Sequence, residues 1–403
     1  MQSISTLLLC CIRSELCAIS LTDLLTDDEL ASLVSPETVR ALCAAASTQD
    51  LAHFVSASLC RIRSRLSEEV FTSLKKIQIG TAFRNEQIIQ EIQSVSALFE
   101  ECGIRHILLK GAFIRPFYPV PHMRTSCDVD ILVAPEDLDA AESALCQKLQ
   151  YTKIRVEKYD VLYHSPAGVH LELHFSLMDE KYYPEIASVL SAVWENAVPS
   201  EGSDFRLEMR LPFAYFYHIT HMVKHYLYGG CGIRTLMDLW IFNHCIPGFD
   251  RAEASGWLTD AGIAVFEEKV YQLSEIWFSG ADYEADSMEL FRQMEAYILA
   301  GGIYGSVENK VKLNRLKNPN MGSYLFSRLF PPFERMKYEY SVLQKHKILL
   351  PFCHVRRWFR LLSKGTARRV TGELKHNRKL TQDGQDAFRR MLTDIGLQEW
   401  SNV

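Results

Sequence analysis

Residues 106–133 read HILLKGAFIRPFYPVPHMRTSCDVDILV, and the two ends of this stretch decide the fold. At the first end, Ile107-Leu108-Leu109 is too short an apolar run for a helix of its own. Lys110-Gly111 closes it, which predicts a strand feeding a tight turn. At the second end, Asp128-Val129-Asp130-Ile131-Leu132-Val133 predicts another strand. Successive strand side chains point to opposite faces, so Asp128 and Asp130 share one face while Val129, Ile131 and Val133 share the other. Two carboxylates this close repel each other when both are ionised, so one pKa rises unless a cation sits between them. A hard divalent ion that takes oxygen ligands, Mg2+ or Mn2+, suits the pair.

Further along, Val169-His170-Leu171-Glu172-Leu173-His174-Phe175 alternates strictly, which sets His170, Glu172 and His174 on the face opposite Val169, Leu171, Leu173 and Phe175. Three carboxylates from two strands, preceded by a glycine turn that bears a lysine, frame a site for two metal ions and a triphosphate. The plain alternative is the polar edge of an ordinary strand, since Asp-x-Asp is short and common.

LLKGAFIRPFYPVPHMRTSCDVDILV followed by VHLELHF resembles the uncharacterised nucleotidyltransferases of the polymerase-β-type superfamily. The later HITHMVKHYLYGGCGIRTLMDLW is similar to that family's helical segment downstream of the core, and the resemblance is dense from about Arg84 to about Asn243. It implies an α+β protein: a small mixed-sheet nucleotidyltransferase core over 84–205, an N-terminal helical segment over 1–83 and a large C-terminal helical region over 206–403. It also implies that Asp128 and Asp130 bind Mg2+ or Mn2+, that Glu172 completes the metal site and helps deprotonate the attacking hydroxyl, and that a nucleoside triphosphate is the donor. Gly111 would let backbone approach the phosphates, Lys110 and Arg124 would contact them, and His174 would orient a carboxylate or the acceptor. The acceptor is left open among small molecules, proteins and RNA. Lys110-Gly111 stands where the broader superfamily usually has Gly-Ser, and this departure supports an alternative, a catalytically inactive nucleotide-binding protein of the same fold.

The rest of the chain adds little chemistry. Its 403 residues are 48% hydrophobic and 23% charged, an ordinary globular balance. No apolar run approaches the roughly 20 residues that span a bilayer. Ile4 to Ile12 is apolar, yet no basic residue precedes it, so no signal peptide is expected. Eleven scattered cysteines with no C-x-x-C pair read as free thiols, which points to the cytoplasm. Cys127, beside Asp128, reads as core filler. The net charge of −5 hides an asymmetry, because residues 310–380 alone carry +15 and the remainder −20.

Taken in order, residues 1 to about 80 predict short helices, with start signals at Leu21-Thr22-Asp23 and Ser35-Pro36-Glu37-Thr38. Apolar residues from Ile88 to Phe99 recur at three- and four-residue steps, which predicts an amphipathic helix from Glu86 to about Gly103. A helix from Pro135 and a meander of strands into the Glu172 strand follow, with helices on one side of the sheet. From Phe213 the pattern is helical. His218, His221 and His225 form one stripe, and with His170, Glu172 and His174 they support a second alternative, a metal-dependent hydrolase. Arg234 and Asp238, four apart, predict a pair along one helix. Near the end Val355, Trp358, Phe359 and Leu362 form an apolar stripe among Arg356, Arg357, Arg360 and Lys364, expected to dock on its own domain ahead of any membrane or nucleic acid.

Overall fold

The alternation around Asp130 builds a sheet as expected. In a computed structural model, which describes residues 3–282, 285–302, 305–318, 321–340, 342–361 and 364–399, seven strands appear: β1 His106–Leu108, β2 Asp128–Val133, β3 Thr152–Val156, β4 Asp160–His164, β5 His170–His174, β6 Ala197–Pro199 and β7 Arg206–Met209. They form one mixed sheet in the order β3-β4-β5-β2-β1-β7-β6. β2 lies at its centre, antiparallel to β1 and parallel to β5. The fold is therefore α+β, with the two acid-bearing strands as direct neighbours.

One face of these strands is apolar and holds the core. Val129, Ile131 and Val133 of β2 pack with Val161 and Tyr163 of β4 and Leu171 and Leu173 of β5. The Glu68–Glu101 helix covers them with Ile88, Val95 and Phe99, and the Leu138–Lys148 helix with Ala141 and Leu145. Each Val, Leu, Ile or Phe side chain so removed from water stabilises the layer by about 1.5–3 kcal/mol. The opposite face is left to the acids. The covering helix starts at Glu68 rather than Glu86, capped by the Ser67 side chain, because nothing between Ser67 and Glu86 stops it; its end at Cys102, before left-handed Gly103, is where the glycine signalled it.

Before it stand five short helices, Ile4–Leu16, Leu21–Leu24, Asp27–Leu33, Pro36–Thr48 and Ala52–Arg61. The serine and threonine caps explain the starts of four: Ser3, Ser20, Thr26 with its Glu29 capping box, and Ser35 ahead of Pro36. The β6-β7 hairpin had no sequence signal. Glu100 holds it in place, its carboxylate accepting the backbone N–H groups of Asp204, Phe205 and Arg206. Cys127 is exposed, not core filler: β2 begins one residue later, so the alternation that would have buried this thiol does not reach it. The cysteines are free thiols throughout.

The chain packs as two compact units, Met1–Val223 with Gly232–Met288, and Lys224–Cys231 with Glu289–Val403. The first contains the sheet. The second is helical among its described residues, and a small cluster of Met336, Leu343 and Cys353 lies at its interior. There the Leu350–Leu361 helix turns a different face inward than its apolar stripe suggested. Cys353 and Arg357 are buried while Phe352, Val355 and Phe359 are exposed. Arg357 can lie inside because it donates to the Arg328 carbonyl at 2.8 Å and pairs with Glu339 at 3.6 Å. Leu362 lies outside the described residues. No described helix is long and apolar enough to cross a membrane.

Candidate active site

Parallel pairing of β2 with β5 sets Asp128 opposite His170, Asp130 opposite Glu172 and Leu132 opposite His174. Since the Val129 face is core, Asp130, Glu172 and His174 project together on the other face. Asp130 and His174 are buried and Glu172 is half-buried. His174 Nε2 lies 3.0 Å from Asp130 Oδ1 and 3.6 Å from Glu172 Oε2. One ligand atom from each of the three falls within 4.8 Å of the others. Two carboxylates and an imidazole at that spacing fit a divalent cation. Among the described residues this is the metal-capable trio, and it substitutes His174 for Asp128 in the set read from the sequence. Asp128, half-buried, stands at the strand's first position.

Lys110 supplies the site with a positive charge. It follows β1 in the left-handed region, φ 48°, as the first residue of a short helix, Lys110–Ile114. The left-handed residue of the turn is thus the lysine and not the glycine beside it. Its Nζ donates to Asp130 Oδ1 at 2.6 Å and lies 3.9 Å from Glu172. Burial alone would lower the lysine pKa, but Asp130 outweighs it and the group stays well above its ordinary value. For Asp130 the balance is the reverse. Burial would raise its pKa, and Lys110 with His174 holds it well below the carboxylate range. Asp128 feels burial and the neighbouring Asp130 charge, which push it to about 6.

The remaining cations are arranged differently from the sequence reading. Arg124 forks onto Asp238, Nε to Oδ1 at 2.7 Å and Nη2 to Oδ2 at 2.8 Å, and its Nη1 donates to the Thr125 carbonyl. Asp238 also accepts the Tyr118 hydroxyl at 2.6 Å. Arg124 therefore braces the segment entering β2, and it lies within the field of Asp128. A Cβ at Gly111 would lie 3.3 Å from Arg124 Nη1, so the glycine makes room for this guanidinium. Arg234 does not pair with Asp238 along the helix. Its Nη1 donates to the Thr125 carbonyl at 2.7 Å and meets Asp50 at 3.4 Å, because Arg124 has taken Asp238. Its field opposes the rise of the Asp128 pKa, which makes it a site neighbour that no motif announced.

Other groups near the site were also silent in the sequence. Asp160 of β4 is buried opposite His174, and the Tyr159 ring stacks on the His174 ring at 6.1 Å. Tyr217 is buried within the fields of Lys110, Asp130 and Glu172. His170 is exposed and meets His164 edge-on at 4.2 Å. Of the histidine stripe, His218 turns its Nε2 to the Thr235 carbonyl at 2.9 Å.

No curated protein and no solved structure matches the chain. A family model described as an uncharacterised nucleotidyltransferase matches residues 35–278, which spans the sheet, the acid-bearing strands and the Arg234 helix. With more than half of its length so matched, the chain belongs to this family of uncharacterised nucleotidyltransferases.

Proposed function

We infer that this protein is a divalent-cation-dependent nucleotidyltransferase that moves a nucleoside monophosphate from a nucleoside triphosphate to a hydroxyl or phosphate acceptor. The observation that carries this reading is the register of β2 on β5, which sets Asp130 beside Glu172 on the face away from the core. Asp130, Glu172 and His174 would hold Mg2+ or Mn2+, with Asp128 at the first position of the same strand as a further carboxylate for the cation. A cation bound there would neutralise charge on the triphosphate as the α-phosphorus is attacked. Lys110, now on Asp130, is placed to transfer its hydrogen bond to a phosphate oxygen. Arg234 adds a second positive charge, the role the sequence reading gave to Arg124. The acceptor oxygen bonds to the α-phosphorus as the bond to pyrophosphate breaks, and its proton passes to Glu172, the most exposed of the three trio members.

The Lys110–Asp130 contact favours a second reading, a nucleotide-binding protein in which the ammonium keeps the cation's place and no transfer occurs. One assay separates the two. The protein is incubated with Mg2+ or Mn2+, triphosphates labelled at the α-phosphate, and cell lysate as acceptor source, beside Asp130→Asn and Glu172→Gln. Label transfer with pyrophosphate release, reduced on the order of 10³-fold in the variants, supports the transferase. Calorimetric nucleotide binding with no transfer supports the second reading, and absence of both sinks the pair.

A further inference from the structure

The second unit carries an apolar surface that its own fold leaves uncovered. In the Leu350–Leu361 helix Phe352, Val355 and Phe359 fall at i, i+3 and i+7 along one line, and they are 72%, 44% and 71% exposed. Ile348, just before the helix, is 85% exposed. Aromatic surface continues onto the neighbouring Met321–Leu329 helix. There Phe326, 64% exposed, lies 5.0 Å from Phe330, whose ring meets Trp358 edge-on at 5.2 Å. Scattered exposed apolar residues are ordinary, but a continuous tract across two helices marks an interaction surface.

Charge says what kind. Arg356 follows Phe352 at i+4, flanking the apolar line, and Lys345 and Lys347 stand exposed beside Ile348, while Arg360 at i+8 is paired with Glu339. The surrounding residues 310–380 carry +15. A second copy seated on this face would bring two such charges together. A nucleic acid would use the cations and the rings but leave Ile348 and Val355 with nothing to stack on. An anionic bilayer engages both kinds of group, the apolar line among the acyl chains and Lys345, Lys347 and Arg356 at headgroup phosphates.

We propose that the Leu350–Leu361 helix and its flanks bind the surface of an anionic phospholipid membrane, with Ile348, Phe352, Val355 and Phe359 inserted. Twelve residues are too few to span a bilayer, so the helix lies in the interface plane.

The test sediments the full-length chain with vesicles of phosphatidylcholine alone or mixed with phosphatidylserine, at low and physiological salt. The expected result is pelleting with the phosphatidylserine vesicles only, weakened as salt rises. Phe352→Ser/Phe359→Ser should lower partitioning about a hundredfold, roughly tenfold for each ring. Both side chains face outward, so the melting temperature should hold. Ile348→Asp, outside the helix, provides a second variant with the same expected direction. Failure to pellet, or unchanged pelleting of these variants, overturns the proposal. Two other results also overturn it. RNA binding that Arg356→Gln abolishes and the phenylalanine variant leaves intact reassigns the surface to nucleic acid, and a dimer that the phenylalanine variant dissolves reassigns it to a second copy.

Discussion

Lys110 combines a costly backbone with a strong contact. A left-handed φ costs a non-glycine residue roughly 1–2 kcal/mol, and here it directs an ammonium onto the buried Asp130 carboxylate. Breaking a buried pair by removing one partner is expensive because the other charge stays uncompensated. Lys110→Met is therefore expected to destabilise the protein by about 3–5 kcal/mol in chelator. If the trio is a cation site, Mn2+ replaces the missing charge, so Mn2+ should raise the melting temperature of Lys110→Met more than that of the wild type. Melts that match the wild type, or a variant blind to Mn2+, would remove Lys110 from this role. At this scale the sequence was informative about the acids, since strand alternation alone put Asp130, Glu172 and His174 on polar faces. It was uninformative about the arginines. Which of Arg124 and Arg234 reaches Asp238 depends on the approach of a helix more than a hundred residues away, and no local spacing encodes that.

Among the elements, legibility followed the range of the forces involved. Caps and periodicity are local, so the short N-terminal helices and the meander could be read directly. β6 and β7 could not, because three- and four-residue strands acquire their place from a distant partner, the Glu100 carboxylate. The long covering helix was read from its buried half only. Its first turns pack less apolar surface and therefore show less periodicity, yet they are helical. Gly80 sits exposed in that stretch, and a Cβ there would meet nothing within 4 Å. Glycine in a helix interior is less favourable than alanine, largely through the entropy of the unfolded chain. Gly80→Ala should thus stabilise the protein by about 0.5–1 kcal/mol, read as a higher denaturant midpoint at unchanged slope. A lower midpoint would mean that the helix needs the glycine, for a bend or a contact outside this structure's packing.

For the molecule as a whole, the balance of buried ionisable groups sets how stability responds to acid. Burial lowers the pKa of His53, His106 and His218, whose ring nitrogens face the carbonyls of Met123, Ile104 and Thr235. For His53 burial brings the pKa down to about 4. A histidine with a depressed folded pKa contributes stability above its unfolded value near 6.5, and that contribution is lost as pH falls toward the folded value. Asp128 and His174, both raised in the fold, act in the opposite sense, gaining relative stability as pH falls. The overall curve therefore mixes opposing contributions, and a difference measurement separates one of them. His53→Gln keeps a donor toward the Met123 carbonyl but cannot be protonated. Between pH 7.5 and 5 the wild type should lose roughly 2 kcal/mol more than this variant, from an unfolded-state pKa near 6.5. Urea titrations of both proteins across that range would read the difference directly. A gap that stays flat with pH would mean that His53 is protonated in the folded protein too, and that opening of the helices around Met123, rather than the charging of this ring, governs acid unfolding.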